Sequence, residues 1–89
     1  MSGETGLNIH FEGAWSAEAK EQIERAIRES AGTPPDGENW SISIDRPSFS
    51  FYCEVHAKTP RQSRTRLFFE EDSALPKTIS DWLKSYPLR

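Results

Sequence analysis

The sequence FYCEVHAKTPRQSRTRLFF, residues 51–69, decides the fold because two alternating apolar–polar runs flank a short basic segment. Alternation with a period of two is typical of a β-strand that buries one face. In the first run Phe51, Cys53 and Val55 are the apolar positions, so Cys53 is expected to point into a core. The stretch is therefore predicted to be a β-hairpin with a basic loop.

The second run of the hairpin predicts a strand over residues 64–70. Its inward-facing residues are predicted to be Thr65, Leu67 and Phe69. The alternating residues then point outward, so Phe68 is expected to be exposed beside Arg64 and Arg66. Tyr52 of the preceding strand is expected on the same outer face.

Two hairpin registers keep this orientation, and the sequence does not choose between them. One uses a tight loop over residues 59–61 and sets Glu54 opposite Arg66. The other slides by two residues and sets His56 opposite Arg66. Side-chain pairing favours the first register, whereas the absence of glycine from the loop disfavours so tight a turn.

Residues upstream of the hairpin predict a strand, a helix and a second strand. Alternation predicts strands over 7–12 and 40–44, and a 3.6-residue apolar period predicts a helix from Ser16, its N-cap, to Ala31. With DRPS (45–48) as the turn, a long third strand over 49–58 is expected, with Ile44 opposite Phe49. Every cross-strand pair in that register is apolar with apolar.

A last helix is predicted after Ser73, which is expected to cap it, and Pro87 is expected to end it. Its apolar stripe comprises Leu75, Ile79, Trp82, Leu83 and Tyr86. The order is therefore β-α-β-β-β-α, which predicts an α+β fold with one mostly antiparallel four-stranded sheet and both helices on one face. Residues 1–6 are expected to form a disordered tail, and residues 7–87 a single compact domain.

Composition narrows the classes of function. The single cysteine, Cys53, cannot form an internal disulfide, and no signal-peptide pattern or membrane-length apolar run occurs, so a small soluble cytoplasmic protein without a membrane role is expected. The net charge of −3 argues against a dedicated nucleic-acid binder. Residues 1–55 carry ten acids and four bases, whereas residues 56–89 carry four acids and seven bases.

The expected function is a non-enzymatic protein-interaction module that uses the outer sheet face and the basic hairpin 58–66, with a partner protein or a second copy of the chain as its occupant. Tyrosine, phenylalanine and arginine are enriched at interface centres. The predicted binding residues are Tyr52, His56, Lys58, Arg61, Arg64, Arg66 and Phe68. An alternative is binding of RNA or single-stranded nucleic acid, with bases stacked on Tyr52 and Phe68 beside the arginines.

A second alternative is an enzyme or metal site on the outer face around His10 and His56. The Cys53-x-x-His56 spacing does not support zinc, because residues three apart on a strand point to opposite faces. No cofactor, catalytic residue or metal ligand is predicted.

Overall fold

The computed structural model describes residues 6–47 and 51–88, and it begins with the predicted β-α-β unit. Strand β1 (Leu7–Gly13), helix α1 (Ala17–Ala31) and strand β2 (Trp40–Arg46) follow one another. The two strands pair in parallel, with Leu7 opposite Trp40. Of the predicted tail over residues 1–6, all but Gly6 lies outside the described residues.

Helix α1 begins and ends as its sequence predicts. The Ser16 hydroxyl accepts a hydrogen bond from the Ala19 N–H at 3.1 Å, which satisfies one of the free donors of the first turn. Ile23 and Ile27 on the apolar stripe are fully buried. Gly32 follows the last turn with a φ of 78°, where glycine avoids the steric cost of a side chain.

Strand β3 (Cys53–Lys58) pairs with β2 in a register that differs from the predicted one. Ile44 lies opposite Val55, so the predicted pairing with Phe49 is wrong by six residues, from position 49 to 55. The strand is also shorter than expected, and Phe51 is 94% exposed. A shift by an even number of residues leaves each side chain on the same face of the sheet. Both the predicted and the observed registers therefore place apolar residues opposite each other. Phe49 itself lies outside the described residues.

Strand β4 (Ser63–Phe68) runs antiparallel to β3 as predicted, but its side chains lie on the opposite faces of the sheet from those predicted. Glu54 lies opposite Leu67, and His56 lies opposite Thr65, which matches neither predicted register. A slip of one residue moves every side chain of a strand to the other face. Phe68 therefore points into the core, and Leu67 points to the outer face.

The hairpin loop explains this slip. The Thr59 N–H donates to the Gln62 carbonyl at 2.8 Å and closes a four-residue loop. The Thr59 hydroxyl accepts hydrogen bonds from the N–H groups of Arg61 and Gln62, at 3.2 and 3.1 Å. A threonine side chain thus stabilises a turn that needs no glycine.

The sheet has the order β1-β2-β3-β4 and is mixed. The prediction of a mostly antiparallel sheet is therefore corrected, because helix α1 lets β2 return parallel to β1. The remaining two pairings are antiparallel. Strands β1 and β4 form the two edges of the sheet.

Helix α2 (Leu75–Ser85) follows the hairpin. Ala74 occupies its N-cap without a side-chain hydrogen bond, so the predicted Ser73 cap is wrong. The backbone of Glu71 and Asp72 fills this role, since both carbonyls accept from the Leu75 N–H. Asp72 also pairs with Arg46 at the end of β2, which raises the Arg46 pKa.

One hydrophobic core holds these elements together. It contains the apolar stripes of both helices and the apolar face of β2 and β3, including Ile42, Ile44 and Val55, which are fully buried. Leu75, Ile79, Trp82 and Leu83 are buried as predicted, whereas Tyr86 is 58% exposed. Within the described residues, no helix has the length and apolar character needed to cross a bilayer.

Candidate functional site

The predicted binding residues do not share one surface. His56 and Lys58 are exposed on the outer face of β3, as expected. Arg61 lies in the hairpin loop and forms an ion pair with Glu38, which precedes β2; the hydrogen bond to this carboxylate raises the Arg61 pKa. Arg64 and Arg66 lie on the helix side of β4, because they are opposite the buried residues Ala57 and Val55.

Phe68 is a core residue, which corrects its predicted exposure. It is 2% exposed, and its ring meets Trp82 of α2 edge to face at 5.6 Å between centroids. Phe69, which is predicted to face inward, lies on the outer face instead; it is 67% exposed, and its ring centroid is 6.0 Å from that of Tyr52. The predicted stacking pair of Tyr52 and Phe68 is therefore absent, and Tyr52 with Phe69 replaces it.

Arg64 joins the edge of the sheet to the end of α2. Its guanidinium carbon lies 5.5 Å from the centroid of the Trp82 ring, and its Nη2 donates to the carbonyl oxygen of Tyr86. The Nε atom of the same guanidinium is buried and has no hydrogen-bond partner. An unsatisfied buried donor on a charged group is unfavourable, so this Nε is a local cost of packing Arg64 against α2.

Arg66 lies one pleat further along β4. Its guanidinium carbon is 5.1 Å from the centroid of the Phe68 ring. Among residues 6–47 and 51–88, neither Arg66 nor Arg64 has a carboxylate oxygen within ion-pair distance. Within the described residues, two positive charges therefore lie side by side at this edge without a carboxylate in ion-pair contact.

A groove of about 440 Å³ runs between β4 and the C-terminal end of α2. Its lining consists of Arg64, Thr65, Arg66, Trp82 and Tyr86. Cationic and aromatic side chains thus face the same hollow. Aromatic and arginine side chains are the types that most often carry binding energy in protein interfaces.

The backbone of β4 borders this groove with hydrogen-bonding groups that no described strand pairs with. Hydrogen-bonded and non-hydrogen-bonded pairs alternate along an antiparallel ladder, and the Thr59–Gln62 pair is hydrogen-bonded. By this alternation Arg64 and Arg66 direct their backbone groups at β3. Thr65 and Leu67 direct theirs away from the sheet, where an added strand would pair with them.

Exposed apolar side chains concentrate along the same edge. Leu67 is 42% exposed and Phe69 67% exposed on the outer side, and Tyr86 is 58% exposed at the groove. Long edge strands with apolar side chains are sites of strand pairing with other chains. Both faces of the β4 edge thus offer apolar contact area.

The outer sheet face is polar at its centre. One row across the four strands consists of His10, Ser43, His56 and Thr65. The His10 Nε2 lies 2.6 Å from the Glu12 Oε2, and the His56 Nδ1 is hydrogen-bonded to the Thr65 hydroxyl. Within the part of the chain that the structure describes, no group of three histidine, cysteine or acidic residues is arranged to hold a metal ion.

The thiol of Cys53 lies in the core, as predicted, and is 1% exposed. Burial raises the pKa of Cys53 to about 11. A thiol this deep and this weakly acidic is protonated at neutral pH and lacks the thiolate needed for nucleophilic or metal-binding chemistry.

A second hollow, of about 450 Å³, lies on the solvent side of α1, and its charges differ from those of the groove. Its arginines already have acidic partners one helical turn away, in the pairs Arg25–Glu21 and Arg28–Glu24. Such i,i+4 pairs are ordinary features of an exposed helix. The groove beside β4 is therefore the stronger candidate site.

Comparison with known protein families, with curated proteins and with solved structures finds no match for this chain. The candidate site therefore rests on the geometry of the described residues.

Sequence reasoning found the arginines of this site but not their neighbours. Trp82 and Tyr86 are predicted as parts of a buried stripe, and nothing in the sequence shows that this stripe ends beside β4. The orientation of β4 was the missing information. The consecutive apolar residues Leu67, Phe68 and Phe69 satisfy either orientation, so no local pattern supplied it.

Proposed function

We propose that this chain is a non-enzymatic protein-interaction module, and that it binds an extended segment of a partner protein by strand addition along β4. In this mode main-chain hydrogen bonds supply affinity, and pockets for alternate side chains supply specificity. The single observation that supports the proposal is the open β4 edge with the cationic–aromatic groove directly beside it.

The geometry of a pleated strand explains why the groove and the edge act together. An added strand would pair with the backbone groups of Thr65 and Leu67. Its alternate side chains would then point into the groove on one side and towards Leu67 and Phe69 on the other. The proposed binding mode still uses the basic hairpin that the sequence indicates, but it moves the contact surface from the outer face of the sheet to the β4 edge.

The test starts from peptides of random sequence, twelve residues long, displayed on phage and selected against the full chain. Selected peptides are expected to shift the NMR amide signals of Thr65 and Leu67 and the indole signal of Trp82. N-methylation at successive peptide positions should abolish binding at every second position, because only alternate amides of an added strand face β4.

A variant of the chain gives an independent check. Thr65→Pro removes an edge N–H that has no partner in the sheet, so binding should be lost while the melting temperature changes little. Shifts confined to other surfaces, an N-methyl series without the period of two, or no selected peptide at all would exclude strand addition. Titration with oligouridine tests the alternative, since shifts at Tyr52 and Phe69 with RNA alone would favour nucleic-acid binding.

A further inference from the structure

The charges of the groove define the chemistry of the segment that it would bind. We infer that the groove takes an extended segment carrying an internal aspartate or glutamate, whose carboxylate pairs with Arg64 and Arg66. This inference rests on the proposed strand addition and names the side chain that the groove selects.

The pairing geometry brings such a carboxylate close to both arginines. Because Thr65 and Leu67 form the hydrogen-bonded pairs with an added strand, Arg64 and Arg66 occupy the non-hydrogen-bonded positions. Side chains in those positions approach most closely, with Cα atoms about 4.5 Å apart. A residue opposite one arginine is also a diagonal neighbour of the other, within reach of its long side chain.

The electrostatics of the site favour an anion. The Nε of Arg64 is buried without an acceptor, and no described carboxylate lies within ion-pair distance of Arg64 or Arg66. The Trp82 ring and the core beneath the groove limit water on one side, which strengthens a charge-assisted hydrogen bond. A carboxylate beside the two guanidinium groups would offset both charges.

The same charges disfavour a second copy of the chain as the occupant. In antiparallel pairing of β4 with β4 of another copy, the register centred on Thr65 sets Arg64 opposite Arg66. The register centred on Arg66 sets that arginine opposite Arg66 of the other copy. Like charges directly opposite each other are destabilising, so the two registers with the greatest overlap are both unfavourable. Charged edge residues commonly prevent such self-pairing.

The position of the arginines favours an internal residue over a chain end. Arg64 and Arg66 lie within β4 rather than at either end of it, and the outward-facing backbone extends from Ser63 to Leu67. A bound segment would continue past the carboxylate in both directions. We therefore assign the carboxylate to a side chain and treat a C-terminal carboxylate as an outcome of the test.

The test uses three versions of one seven-residue peptide of alternating threonine and valine. The first has a central glutamate and an amidated C-terminus, the second has glutamine there and is amidated, and the third has glutamine with a free C-terminal carboxylate. The first is expected to bind the full chain about 5-fold more tightly than the other two at low salt, with less difference at high salt.

Variants of the chain locate the effect. Arg66→Gln and Arg64→Gln should each remove most of the preference for glutamate, with Arg64→Gln also checked for its melting temperature because Arg64 contacts α2. Lys20→Gln, on exposed α1, makes the same change in net charge and should leave the preference unchanged.

The outcomes separate this inference from the function on which it rests. Equal affinity of all three peptides, with the N-methyl period retained, would overturn the carboxylate inference and leave strand addition standing. Tighter binding of the third peptide alone would show that the groove prefers a C-terminal carboxylate to a side-chain carboxylate, and would overturn that assignment. Failure of every peptide to show N-methyl-sensitive binding at β4 would overturn the proposed function itself.

Discussion

The β-α-β unit over residues 7–46 and the hairpin over residues 51–69 both contain strands with a period of two, but only in the first does every strand bury the face that its sequence predicts. In the unit, Gly13 and the Ser16 cap mark the boundary between β1 and α1. A side chain at Gly13, where φ is 98°, would overlap the carbonyl oxygen of Arg46, so glycine is required there. Local signals of this kind are missing from the hairpin.

The hairpin differs because one loop sets the register of β4, and this register decides which face of the sheet each β4 side chain occupies. The Thr59 side chain closes a four-residue turn, and this turn sets the pairing one residue away from both predicted registers. That slip moves two arginines from the open outer face to the groove beside α2. A difference of one residue in the β4 register therefore leaves the fold class unchanged but moves the candidate site to another surface.

The largest expected effect tests the orientation of β4 directly. Phe68→Ala should lower the free energy of unfolding by about 3–5 kcal/mol, because it removes a fully buried ring that packs on Trp82. Phe69→Ala, the matched control, should cost less than about 1 kcal/mol because its ring is mostly exposed. Urea denaturation measures both, and a reversed order would restore the orientation that the sequence favours.

A smaller effect tests Cys53, a hairpin residue whose burial the sequence predicts correctly. Because burial raises the pKa of Cys53 to about 11, the unfolded chain loses the thiol proton at lower pH than the native chain does. The contribution of the protonated thiol is complete below about pH 9 and falls by roughly 2–3 kcal/mol as pH rises to about 11.

Cys53→Ala provides the reference for this measurement. The free energy of unfolding of the native sequence minus that of the variant should decrease between about pH 9 and pH 11, as followed by denaturation at each pH. Subtraction removes the titration of tyrosine and lysine common to both proteins. A difference independent of pH would show that the thiol ionises equally in both states.

The smallest effect compares the two predicted helix caps. Ser16→Ala should destabilise the protein by about 1 kcal/mol, since it removes the acceptor of the Ala19 N–H. Ser73→Ala should change stability by less than about 0.5 kcal/mol, because α2 begins without a side-chain cap. Thermal unfolding resolves the difference, and equal losses would mean that Ser73 does cap α2.

Several features follow from the sequence alone: the element order, the existence of both helices, the buried faces of β1, β2 and β3, and the burial of Cys53 and Trp82. These follow from local periodicity, capping and turn residues, which act over a few neighbouring positions. The tertiary structure alone decided the parallel pairing of β1 with β2, the six-residue shift of β3 and the orientation of β4.

The candidate site belongs to the second group. Arg64, Arg66, Trp82 and Tyr86 meet only because β4 is an edge strand and presents its arginines to the end of α2. Residues 16–22 positions apart in the chain come together by packing, which leaves no repeat or motif in the sequence. The side chains were visible in the sequence, but their common surface depends on a register that one loop sets, since a single-residue slip exchanges the two faces of the strand.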